Sequence, residues 1–295
     1  MPLPLDHVEK SARPLGNRRR FRPIVERVEG RELLATGMVP SFSVSLAPYS
    51  DSGVSNSDGI TNVSRPTFIG TGVNFSVVQL EATKVGSWPT EMRYLGSTIV
   101  NDSGEWSITS PNLPDGTWTI TATVTPPHGS PSMPVQMVKP LVIDTIAPRV
   151  TSVAISSTND AIVAVISDVG SGILASTAND PNNYTIVPPG TIVGAHPANG
   201  NGPLVNPSIS GFYSNGGAYT VRIGLGASAV PAGKTYTFQI QSGGITDVAG
   251  NALDGEFTGR LPSGNGAPGG NFIARLTTNR LPKPHIAQVH HGRRR

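Results

Sequence analysis

The chain has no cysteine among its 295 residues. That excludes disulfides, thiol chemistry and cysteine-ligated zinc, and leaves an extracellular location open. Charge is also scarce: charged residues make up 14% of the chain, too few for the surface of an ordinary cytosolic enzyme. No stretch approaches the roughly 18 apolar residues of a spanning helix. The six histidines are scattered, with His285, His290 and His291 together near the C-terminus. A hydrolase needs a nucleophile, a base and an orienting group. Neither a Gly-x-Ser-x-Gly elbow nor a His-Glu-x-x-His zinc helix is present. Gly170-Ser171-Gly172 is too short for a phosphate loop and reads as a turn. Glu81, Glu91, Glu105 and Glu256 lie in β contexts with nothing to mark an acid–base pair. The expectation is a protein that is not an enzyme.

What is abundant is turn chemistry. There are 34 glycines and 27 prolines, with Ser, Thr and Asn filling much of the remainder. Such a mixture suits many short strands joined by turns. The length accommodates two domains of ordinary size plus tails. The net charge of +3 is weak, and much of the basic charge sits in Arg18-Arg19-Arg20 and Arg293-Arg294-Arg295. Only Phe21 lies beside either cluster, so base stacking has no support and nucleic acid is not an expected partner. Contact with an anionic envelope polymer suits these clusters better. The terminal histidines could ligate a transition metal, but a solvated basic tail explains them more simply.

Residues 1–41 are basic and proline-containing, without strand alternation. No apolar core follows Arg18-Arg19-Arg20 to make a signal peptide. Residues 24–35 read as a short amphipathic helix, with Val25, Val28 and Leu33 on one side. Residues 42–146 read as a first β domain. Its polar loop runs from Ser50 to Asn62, followed by strands at 66–70, 75–82 and 105–108. The clearest strand is 117–124: Trp118, Ile120, Ala122 and Val124 face one way, and threonines alternate with them. Leu141 to Val150 forms the joint, because Pro148 cannot donate to a central ladder and stiffens the connection. Residues 147–260 read as a second β domain. Residues 161–166 suit a central strand; Tyr219, Val221, Ile223 and Leu225 alternate, as do Tyr236, Phe238 and Ile240. Residues 261–295 are rich in Gly, Pro and Arg and read as a tail, with one short strand conceivable at 272–276 and disorder expected after about Asn279.

Several strings carry a family resemblance. Ile143-Asp144-Thr145-Ile146-Ala147-Pro148, the loop and strand from Asp51 to Gly72, and the stretch from Gly104 to Val124 resemble tandem bacterial immunoglobulin-like domains of large surface proteins. Asn182-Asn183-Tyr184-Thr185 and the closing turn with Asp247, Gly250, Asn251 and Asp254 resemble another such module. Two departures stand out. Pro126-Pro127-His128-Gly129-Ser130 replaces the usual Asp-x-Ala-Gly-Asn turn of the first domain. The usual Phe-Ser-Glu-Pro motif is missing near Ile166-Ser167-Asp168. In addition, Val28-Glu29-Gly30-Arg31-Glu32-Leu33-Leu34 resembles a Leu-Glu-x-Arg-x-Leu-Leu sorting box, with Val28 in place of the first Leu. An ordinary basic N-terminus is the plainer alternative.

The resemblance implies an all-β fold: two tandem immunoglobulin-like antiparallel β-sandwiches with disordered tails. It implies an exported or cell-surface structural or adhesion module, whose partner is an envelope or extracellular polysaccharide or protein. The alternative is a carbohydrate-binding module, with Trp88, Tyr94, Tyr213 and Tyr219 as candidate stacking residues. Calcium is the best ion candidate. It takes hard oxygen ligands, and Asp51, Asp58, Asn62 and Asp144 are the candidates. Their spacing is not that of an EF-hand, and turn-forming side-chain bonds are the competing reading.

Overall fold

The computed structural model describes residues 42–158, 160–187, 209–213, 217–224 and 233–278. The amphipathic helix, the sorting-type box and the C-terminal histidines and arginines expected from sequence lie outside the described residues.

In the first half the strands are β1 (Ser45–Leu46), β2 (Ile60–Thr61), β3 (Thr67–Thr71), β4 (Val77–Lys84), β5 (Met92–Ile99), β6 (Glu105–Thr109), β7 (Gly116–Thr125), β8 (Val135–Gln136) and β9 (Leu141–Ile143). They form two sheets. One has the order β1-β3-β6; the other runs β2-β9-β7-β4-β5, with β8 added beside β7. The pairs are antiparallel except β2 with β9, which run parallel for two residues. Strand β7 shows why this sequence folds as it does. Trp118, Ile120, Ala122 and Val124 are buried, and the intervening threonines are only half-buried. A period of two puts one set into the core and leaves the other beside water. Val78, Leu80 and Ala82 of β4 and Phe68, Trp106 and Ile108 of the opposing sheet complete the core. The indole N–H of Trp118 donates to the Pro114 carbonyl at 3.1 Å, which satisfies its one polar atom. Strand β5 had no counterpart in the sequence reading. It is an edge strand that buries only Leu95 fully, so it carries little hydrophobic pattern.

The second half contains β10 (Arg149–Ile155), β11 (Ala161–Ser167), β12 (Tyr184–Val187), β13 (Ile209–Tyr213), β14 (Tyr219–Gly224), β15 (Thr235–Ile240) and β16 (Phe272–Thr277). They too make two sheets, β10-β11-β14-β13 and β12-β15-β16. β11 lies between β10 and β14, as its apolar character on both faces requires. A separate core joins the sheets through Ile162, Ile166, Val221, Ile223, Phe238 and Phe272. The chain is thus an all-β arrangement of two sandwiches.

The expected tail from residue 261 needs correction. β16 pairs with β15 along its whole length, with Phe272 opposite Ile240. Phe272 is fully buried and meets the Phe238 ring edge-on at 6.4 Å. Ser263 binds the β10 backbone through Val150 in both directions. The Gly/Pro composition of 255–271 obscured a connection that leads back into the core, because the turns dominate the local pattern and one strand of six residues follows them.

Candidate functional site

The joint between the sandwiches is where the ionisable groups converge. Asp144 follows directly on β9. Its backbone N–H donates to Thr61 of the first sandwich at 2.9 Å. Its carbonyl accepts from Asn251 Nδ2 of the second at 2.9 Å. Its carboxylate accepts the Ser171 N–H at 2.5 Å and the Ile146 N–H at 3.2 Å. The loop after β11 comes so close that a Cβ on Gly170 would lie 2.2–2.3 Å from that carboxylate. Only glycine fits there.

The same loop supplies Asp168. Its Oδ2 accepts the N–H groups of Gly170 and Gly172 at 2.9 and 2.8 Å. Its Oδ1 is buried and has no donor. Asp247, in the closing turn, accepts Asn251 N–H at 2.8 Å and Asn251 Nδ2 at 2.7 Å. Asp144, Asp168 and Asp247 are all buried, and each brings a carboxylate oxygen within 4.8 Å of the other two. Among the described residues, the ion pairs are Lys84 and Arg93 with Glu91, Arg149 with Asp254, and Arg222 with Asp160. None reaches the three aspartates.

Buried carboxylates without a counter-charge resist ionisation. Burial pushes the Asp247 carboxyl up to about 6; the Asn251 hydrogen bonds pull against this, and the charges of Asp144 and Asp168 add to the rise. Burial likewise raises Asp168, opposed by the Gly172 and Gly170 N–H groups and reinforced by the charge of Asp144. Such a set can be neutralised by protons or by a hard cation, since carboxylate oxygens are the ligands such ions select.

The four residues proposed from sequence separate. Asp144 joins the cluster. Asp51 stays in its own loop, where its Oδ2 accepts the Gly59 N–H at 3.1 Å. Asp58 accepts the Ile60 N–H at 3.0 Å, an Asx turn. Asn62 uses its backbone N–H on Ser52 Oγ at 2.8 Å. This loop still serves the joint: Ser52 Oγ donates to the Ala249 carbonyl at 2.7 Å. A Cβ on Gly53, whose φ is +86°, would strike the Val248 carbonyl at 2.1 Å. Sequence reasoning placed Asp247 and Asn251 in a turn without a ligand role, and met Asp168 only as the site of a missing motif. The closing-turn pattern Asp247-x-x-Gly250-Asn251 was the available signal, but its meeting with Asp144 is a tertiary fact.

The aromatic candidates do not form one platform. Tyr219 is buried, with its hydroxyl accepting from Asn179 at 2.7 Å. Tyr213 is on the second sandwich, whereas Trp88 and Tyr94 are exposed on the first.

Comparison with known proteins adds the following. Residues 38–145 match the model of a bacterial Ig-like domain. Among solved structures, the chain is similar to a marsupial T cell receptor, at 12% identity and a TM-score of 0.25, covering 82% of this chain and 98% of that one. It is similar to a BSP domain of a biofilm associated protein, at 14% identity and a TM-score of 0.21, covering 76% of this chain and 29% of that one. It is also similar to a titin substructure, at 10% identity and a TM-score of 0.26, covering 82% of this chain and all of that one. No curated protein matches the chain. No described helix is long and apolar enough to cross a membrane.

Proposed function

We propose that this chain is an exported, non-catalytic structural module of a bacterial surface, in which a calcium ion held by Asp144, Asp168 and Asp247 locks two immunoglobulin-like sandwiches into one stiff unit. The observation that carries this reading is the burial of three mutually close carboxylates at the joint that take part in no ion pair among the described residues. Taking such groups out of water costs several kcal/mol per ion unless an opposite charge compensates. Asp144 comes from the first sandwich, and Asp168 and Asp247 from the second, so an ion here bridges the two halves. The undonated Oδ1 of Asp168 gives the ion an oxygen that makes no other bond. The side-chain bonds of Ser52 and Asn251 to backbone carbonyls across the joint already limit bending. An ion would add to that, as befits a spacer or adhesin segment under load. The bacterial Ig-like match over 38–145 supports the surface assignment.

Titration calorimetry of the chelated protein with calcium chloride is the test. A single site that is lost in Asp144→Ala is expected. Absence of any heat in the wild type rejects the ion, and binding unchanged in Asp144→Ala rejects this location.

A further inference from the structure

A second feature lies on the outer face of the sheet β1-β3-β6. Along these strands Leu46, Phe68, Trp106 and Ile108 point into the core and are buried. Their neighbours therefore point outward. Ser45, Ile69 and Ser107 are register partners in one row, and Thr71 and Glu105 in the next. A cleft of about 730 Å³ opens over this face. Ile99, at the end of β5, and Tyr49 line it, and both are largely exposed, at 61% and 74%. The volume falls within the range of ligand-binding sites.

The chemistry of the lining narrows what fits. Backbone groups between β1 and β3 and between β3 and β6 are engaged in those ladders, and along the outer edge of β6 the Glu105 N–H and C=O are bonded to Asn101, so only a short edge is left for an extended peptide. Recognition falls to side chains, and those are mostly hydroxyls: Ser45, Thr98 and Ser107, with the Ser43 and Thr71 hydroxyls bonded to each other at 2.9 Å. Glu105 is the one charged residue among the described residues of the lining. Its carboxylate can accept charge-assisted hydrogen bonds from a hydroxyl and repels an anion. The Asn101 carbonyl oxygen is occupied by the N–H groups of Ser103 and Glu105, which turns its amide into a donor at the rim. Tyr49 adds an exposed ring whose apolar body and polar tip suit a ligand with both characters. A pyranose presents both: hydroxyls around its rim and C–H bonds on its face.

We propose that this cleft binds a neutral polysaccharide chain, with Tyr49 as the stacking platform and Ser107, Thr98 and Glu105 as the groups that bond its hydroxyls. This goes beyond the structural role and does not depend on the cation at the joint. The ligand site lies wholly on the first sandwich.

The test is affinity electrophoresis of the full chain, in calcium-containing buffer, through gels holding mixed-linkage β-glucan, galactomannan, soluble starch or, as the anionic control, alginate. Retardation in at least one neutral gel is expected. Tyr49→Ala should reduce it at least tenfold. Tyr49→Phe, which keeps the ring, should preserve it, and so should Trp88→Ala, an exposed aromatic outside the cleft. Circular dichroism confirms that each variant folds; if Tyr49→Ala does not, Ser107→Asp, which adds a second charge to the floor, replaces it with the same expected loss. No retardation in any neutral gel overturns the proposal. So does retardation by alginate alone, or retardation that Tyr49→Ala leaves unchanged. Capture of the chain on a peptide array without retardation in any gel would assign the cleft to a protein ligand and overturns it equally.

Discussion

Asp168→Asn has effects of opposite sign with and without calcium. The native carboxylate keeps Oδ2 on two glycine N–H groups and leaves Oδ1 buried without a donor, and it lies close to the carboxylates of Asp144 and Asp247. Asparagine has the same shape. Its carbonyl can take both glycine bonds, and its NH2 then replaces the unpaired Oδ1, which removes one of three mutually repelling charges. A buried polar group left unsatisfied costs about 1–3 kcal/mol. The variant should therefore be more stable than wild type by about that amount in chelator at pH 7. Calcium reverses the order. With a dissociation constant of roughly 10 μM, ordinary for an oxygen-ligand site, 1 mM calcium stabilises wild type by about 2.7 kcal/mol through mass action. For a unit of this size each kcal/mol moves the midpoint by about 2–4 °C, so wild type should gain about 5–10 °C. The variant lacks a charged ligand and should gain little. Calorimetric unfolding of both proteins, with calcium and with chelator, gives the four midpoints. Coincident wild-type curves under the two conditions would refute the ion. A variant less stable than wild type in chelator would refute the electrostatic conflict among the three aspartates.

The pH dependence in chelator follows from the same groups. Asp247 holds its proton up to about 6 in the folded state and releases it near 3.8 when unfolded. Between these values the native state binds the extra proton, so stability falls as pH rises, by about 3 kcal/mol at 1.36 kcal/mol per unit of pKa difference. Asp168 adds in the same direction. Denaturant midpoints that stay flat or rise from pH 4.5 to 7 without calcium would contradict this. In the first sandwich, Trp118→Ala should cost about 3–5 kcal/mol, the range for emptying a buried large aromatic site. Urea unfolding reads it directly, and a loss below about 1 kcal/mol would mean that the indole does not hold the two sheets together.

Much of the architecture was legible from local pattern. The alternation of Trp118, Ile120, Ala122 and Val124 with threonines marks a strand with one buried face, and β7 is that strand. The apolar run 161–166 marked a central strand, and β11 has neighbours on both sides. These readings succeed because a strand's burial is set by which residues sit two apart, a property of sequence alone. Composition also ruled out thiol chemistry without recourse to structure. The pattern failed at β5, an edge strand with little to bury; at 272–276 it allowed a strand but assigned it to a tail, whereas β16 places Phe272 in the core.

The candidate site was legible only in part. Asp144 stood out because it sits at the joint, and the closing turn that holds Asp247 carried a recognisable string. Nothing local distinguished Asp168 from Asp51, which caps its own loop through the Gly59 N–H, or from the Asx-turn former Asp58. A carboxylate in a loop can bond the next turn or face a distant partner, and the residues beside it are the same in both cases. The sequence alone determined the strands, the turn chemistry and the stiff proline joint. Tertiary structure decided which carboxylates meet: Asp144, Asp168 and Asp247 are far apart in the chain, and only the packing of the second sandwich's loops against the end of β9 brings them within 4.8 Å. The cleft under Tyr49 was decided in the same way, because the face a strand turns outward follows from its pattern, whereas what stands over that face depends on the fold.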